Sequence, residues 1–161
     1  VPLFRLVNDT YKDLYGFIPM DEKEMYEMAN RYLPILDPAF VKIVIGKQNE
    51  VIAFIIAMPD LSQGIIKAKG KLFPFGFIKI LRASRKTKQL NLLLGAVKEE
   101  YRGIGFDVLL GSKLFESAKK RRMEIIDSHL ILEHNYKTRA EMEKIGGVVY
   151  KRYRVYQKLL G

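Results

Sequence analysis

The 161-residue sequence has no cysteine, no tryptophan and only two histidines. Without cysteine there is no disulfide framework and no thiol nucleophile, a composition that suits a reducing cytoplasm, where the chain is expected to work. His129 and His134 are too few and too poorly spaced for a zinc site, so no metal is expected. No apolar run approaches the ~20 residues of a membrane span, and no membrane partner is expected. The opening VPLFRLVNDT lacks the basic-then-apolar layout of a signal peptide. It also lacks an initiator Met, which suggests a fragment of a longer chain.

One window lacks acid altogether. Between Leu61 and Lys98 there are nine Lys/Arg and no Asp or Glu, while the other 123 residues carry 19 basic and 18 acidic groups. Nearly all of the net charge of +10 therefore lies in one place. Such a window attracts anions in general, from coenzyme phosphates to acidic partners, nucleic acid or lipid head groups. Phe73, Phe75 and Phe77 are interleaved with its cations. They read as an arm over a substrate or partner, or as a helical insert that packs its aromatics and leaves Lys and Arg in water.

What is present is globular: 48% hydrophobic residues with 29% charged residues, and length for one domain with a real core. Apolar spacing predicts a helix over Leu3–Tyr15, ended by Gly16. Asp21 and Glu24 form a capping box for a second helix, which Pro34 stops. Phe40–Gly46 and Val51–Met58 make a hairpin around Lys47–Glu50. Short helices are expected over Ser62–Lys69 and Pro74–Arg85. After the strand Gln89–Val97 comes a helix with Phe106, Leu110, Leu114 and Ala118 on one face. A strand over Glu124–Leu132, a helix over Thr138–Ile145 and a long alternating strand over Val148–Leu160 complete the order.

The chain is organised around the apolar strand that runs into Tyr101-Arg102-Gly103-Ile104-Gly105 and opens a helix. Glycine permits positive φ and close approach of a ligand, and the free amides and dipole at a helix start favour phosphate. The spacing is not a dinucleotide fingerprint, because Val108 stands at the third glycine, and no P-loop lysine follows. An ordinary strand-to-helix turn would read the same way.

This turn resembles the coenzyme A loop of the GNAT superfamily, the acetyl-CoA-dependent N-acetyltransferases, whose pattern is Gln/Arg-x-x-Gly-x-Gly/Ala. Arg102 and Gly105 match it and Asp107 departs from it. Asn135 followed by Glu143-Lys144-Ile145-Gly146 resembles a second family signature, and the order of elements is similar over most of the chain, lacking the usual first strand. LFRLVNDTYKDLYGFIPM and KAKGKLFPFGFIKILRA look like a narrower group of tandem bacterial proteins in which this module is the carboxyl half. The resemblance implies a single GNAT-like domain over residues 1–161 with a basic helical insert at about 60–88. Its fold class is α/β (α+β), a mixed, mostly antiparallel central sheet with flanking helices.

The implied function is transfer of acetyl from acetyl-CoA, as co-substrate, to a primary amine of a small molecule or peptide by direct attack. The resemblance assigns the pantetheine to the backbone of Gly95, Ala96 and Val97, with the Val97 amide as oxyanion donor. It assigns the pyrophosphate to Arg102, Gly103, Ile104, Gly105 and Phe106, and the coenzyme's pantetheine or far end to Asn135. Asp107 is expected to cap the helix and to repel a phosphate. The family's proton-donating Tyr is replaced by Met142, which cannot donate. Tyr136, Tyr150 and His134 are the substitute candidates, and Asn91 and Glu133 are positional candidates for the base. Two other functions stay open: a catalytically degenerate binding module beside a partner domain or second subunit, and anion or nucleic-acid binding by the basic insert, for which no recognised motif is present.

Overall fold

The computed structural model describes every residue except Leu72, His129, Gln157, Leu159, Leu160 and Gly161. It has two compact units, Val1–His129 and Leu130–Gly161. The first holds helices α1 (Pro2–Tyr11) and α2 (Glu22–Tyr32), strands β1 (Val41–Ile45) and β2 (Val51–Pro59), and helices α3 (Ser62–Ala68) and α4 (Gly76–Lys86). Strand β3 (Gln89–Val97), helix α5 (Phe106–Lys120) and strand β4 (Ile125–Ser128) follow, and the second unit carries helix α6 (Tyr136–Lys144).

The four strands stand in the order β1-β2-β3-β4, antiparallel except for the parallel β3–β4 pair. This is the mixed, mostly antiparallel sheet expected. Alternation along β2 sends Phe54 and Ile56 to one face and Ala53, Ile55 and Ala57 to the other. On the first face Leu6 and Val7 of α1 pack against Phe54, Ile56 and Ala96. On the second, Leu114 and Ala118 of α5 pack against Leu90 and Ala57, and Leu110 against Ala53. Leu90, Leu114 and Phe54 are fully buried, each side chain contributing about 1.5–3 kcal/mol of transfer free energy.

The capping box forms as expected: the Asp21 carboxylate accepts the Glu24 amide at 2.8 Å, and Glu24 accepts the Asp21 amide at 2.9 Å. Asn8 ties α1 to the approach of α2, its amide group bonded to both the carbonyl and the N–H of Met20.

Three expectations are corrected. Helix α1 ends at Tyr11 and not at Tyr15. Only the residues up to Tyr11 pack inward, Tyr15 is 90% exposed, and the chain closes in a turn before Gly16 at φ +77°. Strand β4 stops at Ser128, where its ladder with β3 ends, and not at Leu132. Over Val148–Leu160 no strand forms among the described residues. Alternation stabilises a strand only where a neighbour takes its hydrogen bonds and one face is covered. Here Val148, Tyr153, Val155 and Tyr156 are all exposed. The end of that expected strand, at Leu160, lies outside the described residues, as does His129.

Candidate active site

Strand β3 loses one of its two neighbours halfway along. Its antiparallel ladder with β2 continues from Leu90 to Val97, but its parallel ladder with β4 covers only Gln89–Leu92 against Ile125–Ser128. At the same point the β2 register shifts, Ile56 facing Leu94 and Ala57 facing Leu92, so Leu93 is an extra residue. A bulge of this kind bends and twists the strand that carries it. From Leu93 onward the β4 side of β3 has no strand beside it among the described residues.

Strand alternation decides which backbone groups face that open edge. The Lys98 amide is bonded to the Ile52 carbonyl at 2.8 Å, on the β2 side. The odd-numbered residues before it, Gly95 and Val97, therefore turn their amides and carbonyls the other way. Two side chains occupy this edge. The Tyr11 hydroxyl donates to the Gly95 carbonyl at 2.8 Å and accepts the Gly95 amide at 3.4 Å, and Arg102 Nε donates to the Val97 carbonyl at 3.4 Å. Ala96, between them, is buried against α1.

Tyr11 is the functional candidate that sequence reasoning missed. Its spacing on α1 marks it only as one more apolar position, and what singles it out is a contact 84 residues away. Phe17 packs edge-on to its ring, centroids 5.8 Å apart. Burial pushes the phenol's pKa above its usual value, the Gly95 bond working in the opposite direction. The group therefore holds its proton at neutral pH, beside an open strand edge.

At the end of β3 the chain makes the glycine turn. Gly103 and Gly105 take φ of +77° and +95°, and no atom lies within 4 Å of where a Cβ would stand at either. The glycines serve the backbone conformation, and they leave the approach to the α5 amides clear. Gly105 is the N-cap of α5, and no side chain caps the helix. Asp107 lies exposed in the first turn and does not cap it, contrary to expectation, so the amides stay available. Ile104 is 65% exposed, and Phe106 packs against Tyr101 with centroids 6.0 Å apart. A free helix start, two positive-φ glycines and an arginine beside them can hold a phosphate.

An open groove of about 880 Å³ lies on the β1–β2 side of this turn, lined by Lys47, Glu50, Lys98, Glu100 and Tyr101. Glu100 bonds Lys98 at 2.6 Å and holds the ammonium pKa above its ordinary value. With Glu50 and Glu100 balancing Lys47 and Lys98, the groove carries no net positive charge to draw an anion.

Near the start of β3, Gln89, Asn91 and Asp127 form a polar strip. Gln89 Nε2 donates to Asn91 Oδ1 at 2.9 Å and to Asp127 Oδ2 at 3.4 Å. Asn91 is buried, faces Asp127 across the ladder and is an amide, so it is a hydrogen-bonding group and not a base. The carboxylate at this position is Asp127.

The remaining sequence candidates lie in the second unit. Asn135 is the N-cap of α6, its Oδ1 accepting the Thr138 amide at 3.3 Å. Tyr136 is exposed beside His134, and Tyr150 carries Lys151 over its ring at 5.2 Å. Glu133 pairs with Arg154 at 3.4 Å. Met142 lies within α6.

No protein-family model matches the chain. It is 29% identical over 162 residues to Protein YghO of Escherichia coli (strain K12), across 97% of this chain and 41% of that protein. It is also 29% identical over 166 residues to a bacterial ceramide synthase of Caulobacter vibrioides (strain NA1000 / CB15N), across 98% of this chain and 42% of that protein. The chain thus spans about two fifths of the length of these relatives. Among solved structures, the aminoglycoside antibiotic 6'-N-acetyltransferase AAC(6')-Ih of Acinetobacter baumannii matches with a TM-score of 0.56 at 16% identity, covering 99% of this chain and 91% of that one. At that identity the likeness is one of architecture: the chain has the acyl-CoA N-acyltransferase fold of the GNAT acetyltransferases.

Proposed function

We propose that this chain is an acyl-CoA-dependent N-acyltransferase, one GNAT-like domain over residues 1–161, working in the cytoplasm on a primary amine. The observation that carries the reading is the edge of β3 at Gly95 and Val97, which has no strand beside it and leads directly into the uncapped glycine turn; the coenzyme would displace the Tyr11 and Arg102 side chains from that backbone. The co-substrate, acetyl-CoA or a longer acyl-CoA, supplies a thioester whose carbonyl the neutral amine attacks. Arg102, Gly103, Ile104, Gly105 and the Phe106 amide hold its pyrophosphate, and the Gly95–Val97 backbone holds its pantetheine. The Val97 amide stabilises the oxyanion, a donor fixed before the charge develops. Tyr11 gives its proton to the departing thiolate, in the role for which Met142 is unfit. Asp127, through the strip it shares with Gln89 and Asn91, draws the ammonium toward the β3 edge, and the amine loses its proton to solvent before it attacks. The resemblance also assigns Asn135 to the coenzyme, with Tyr136 and Tyr150 as the alternative acids.

The ceramide synthase likeness bears on the acceptor. A ceramide is the N-acyl amide of a long-chain amino alcohol, so its synthesis forms the same amide bond. Long-chain amino alcohols therefore belong in the acceptor screen beside small polyamines and peptides. The test is thiol release from acetyl-CoA and a long-chain acyl-CoA in the presence of each amine. Tyr11→Phe is expected to lower turnover by roughly 100-fold or more while leaving acyl-CoA affinity within about twofold. Equal turnover in Tyr11→Phe removes Tyr11 from the chemistry. Acyl-CoA binding without turnover on any amine favours the second reading, a degenerate module, for which the Met142 substitution is the specific support.

A further inference from the structure

The helical insert is built inside out. Helices α3 and α4 meet through small residues: a Cβ on Gly64 would stand 2.7 Å from Ile80 Cα and 2.9 Å from Ala83 Cβ. Gly76 is buried in the same way, a Cβ there standing 1.6 Å from the Lys71 carbonyl oxygen. The large apolar side chains are left outside. Ile65 and Ile66 of α3 are exposed, Phe73 and Phe75 of the link are 86% and 67% exposed, and Phe77, Ile78 and Leu81 of α4 are exposed. On α4 the helical period puts Gly76, Ile80 and Ala83 on the α3 side. It puts Ile78 and Leu81 on the opposite side, with Arg82 and Arg85 beside them.

The charge on this insert is of one sign. Residues 61–86 carry seven Lys/Arg and no acid. None of those seven has an acidic partner among the described residues, and Lys79 spends its ammonium on the Lys67 carbonyl at 3.3 Å. Exposed apolar side chains rimmed by unpaired cations are the signature of an interfacial element. Nucleic acid would use the cations and could stack on the phenylalanines, but it has no use for Ile65, Ile66, Ile78 and Leu81. An apolar phase behind a layer of phosphate satisfies both sets. No helix among the described residues is long and apolar enough to cross a membrane, so the contact is one of lying on the bilayer.

We propose that the α3–α4 hairpin docks on an anionic lipid bilayer, its isoleucines and phenylalanines entering the acyl boundary and its Lys/Arg meeting lipid phosphates. The expectation from sequence is that the chain has no membrane partner, and this proposal departs from it. The inference stands on the hairpin alone and does not depend on the chemistry of the β3 edge. Combined with the proposed function it also orients the enzyme. The hairpin joins Pro59 of β2 to Gln89 of β3, so it lies at the strand end that carries Gln89, Asn91 and Asp127. The glycine turn is a strand length away, roughly 30 Å. The amine would then arrive from the bilayer and the coenzyme from water.

The chain has no tryptophan, so Phe75→Trp gives a single reporter. With phosphatidylglycerol–phosphatidylcholine vesicles its emission is expected to shift to the blue, and with phosphatidylcholine alone far less. In co-sedimentation, Phe73→Ser/Phe75→Ser and Arg82→Glu/Arg85→Glu should each reduce binding by about tenfold or more, with unchanged circular dichroism. A folded wild-type chain that leaves anionic vesicles in solution overturns the proposal. So does binding that survives the serine variant, which marks anion attraction only, or nucleic-acid binding lost in the arginine variant without vesicle binding. Vesicle binding is read without acyl-CoA and calorimetric acyl-CoA binding without vesicles, so each claim fails separately.

Discussion

Tyr11 shows how much of a site one hydroxyl can hold. It satisfies both backbone groups of Gly95 where the neighbouring strand no longer does. Its raised pKa has a consequence for stability. The folded phenol keeps its proton at pH values where the unfolded one, near 10, has lost it. Its contribution is therefore complete below about pH 10 and is lost as the pH rises through the folded value. Tyr11→Phe should be less stable than wild type at pH 8, and the gap should narrow toward pH 11 in urea titrations. A gap that stays constant across that range would show the phenol pKa to be ordinary. In the sequence Tyr11 is indistinguishable from Val7 or Leu14, because its role depends on a contact of long sequence separation. The Gly103–Gly105 turn, by contrast, was legible, since positive φ and a helix start are local properties.

At the scale of elements, the caps and the apolar periods were readable and the strand ends were not. The Asp21–Glu24 box formed as its sequence requires. Asp21→Ala should cost about 1 kcal/mol of unfolding free energy. Strand length is decided by the neighbour. The ladder of β4 with β3 ends at Leu92, next to the register shift at Leu93, and no strand forms over Val148–Tyr156 among the described residues. Nothing within either segment announces this. The α3–α4 crossing makes a sharper prediction. Gly64→Val would push a side chain into the Ile80 backbone, and overpacking of this kind costs about 1–3 kcal/mol. Gly70→Ala, at φ +71° with open space around it, should cost less, through backbone strain alone. Comparable losses in the two variants would mean that the helices part easily.

For the molecule as a whole, the division of charge follows the division of labour proposed here. The acid-free window supplies a basic face at one end of β3, and the glycine turn supplies an anion site at the other. The order of elements in the sequence pointed to this fold because a strand, a glycine turn, a helix and a second strand must follow one another to build it. The acceptor was not legible, since the side chains proposed to meet it, from α1, β3 and β4, come together only in the fold. Deleting the charge of Asp127 with Asp127→Asn should raise KM for the amine and lower turnover, with acyl-CoA affinity unchanged. Equal loss of coenzyme binding would place Asp127 on the other side of the site.

The most direct test of the account is calorimetric titration of the 161-residue chain with CoA and acetyl-CoA, beside Arg102→Ala and Gly105→Trp. Saturable one-to-one binding to the wild type is expected, weakened by Arg102→Ala and abolished by Gly105→Trp, which fills the approach to the α5 amides. A folded wild-type chain that binds neither ligand, or a Gly105→Trp variant that binds as well as wild type, would contradict it.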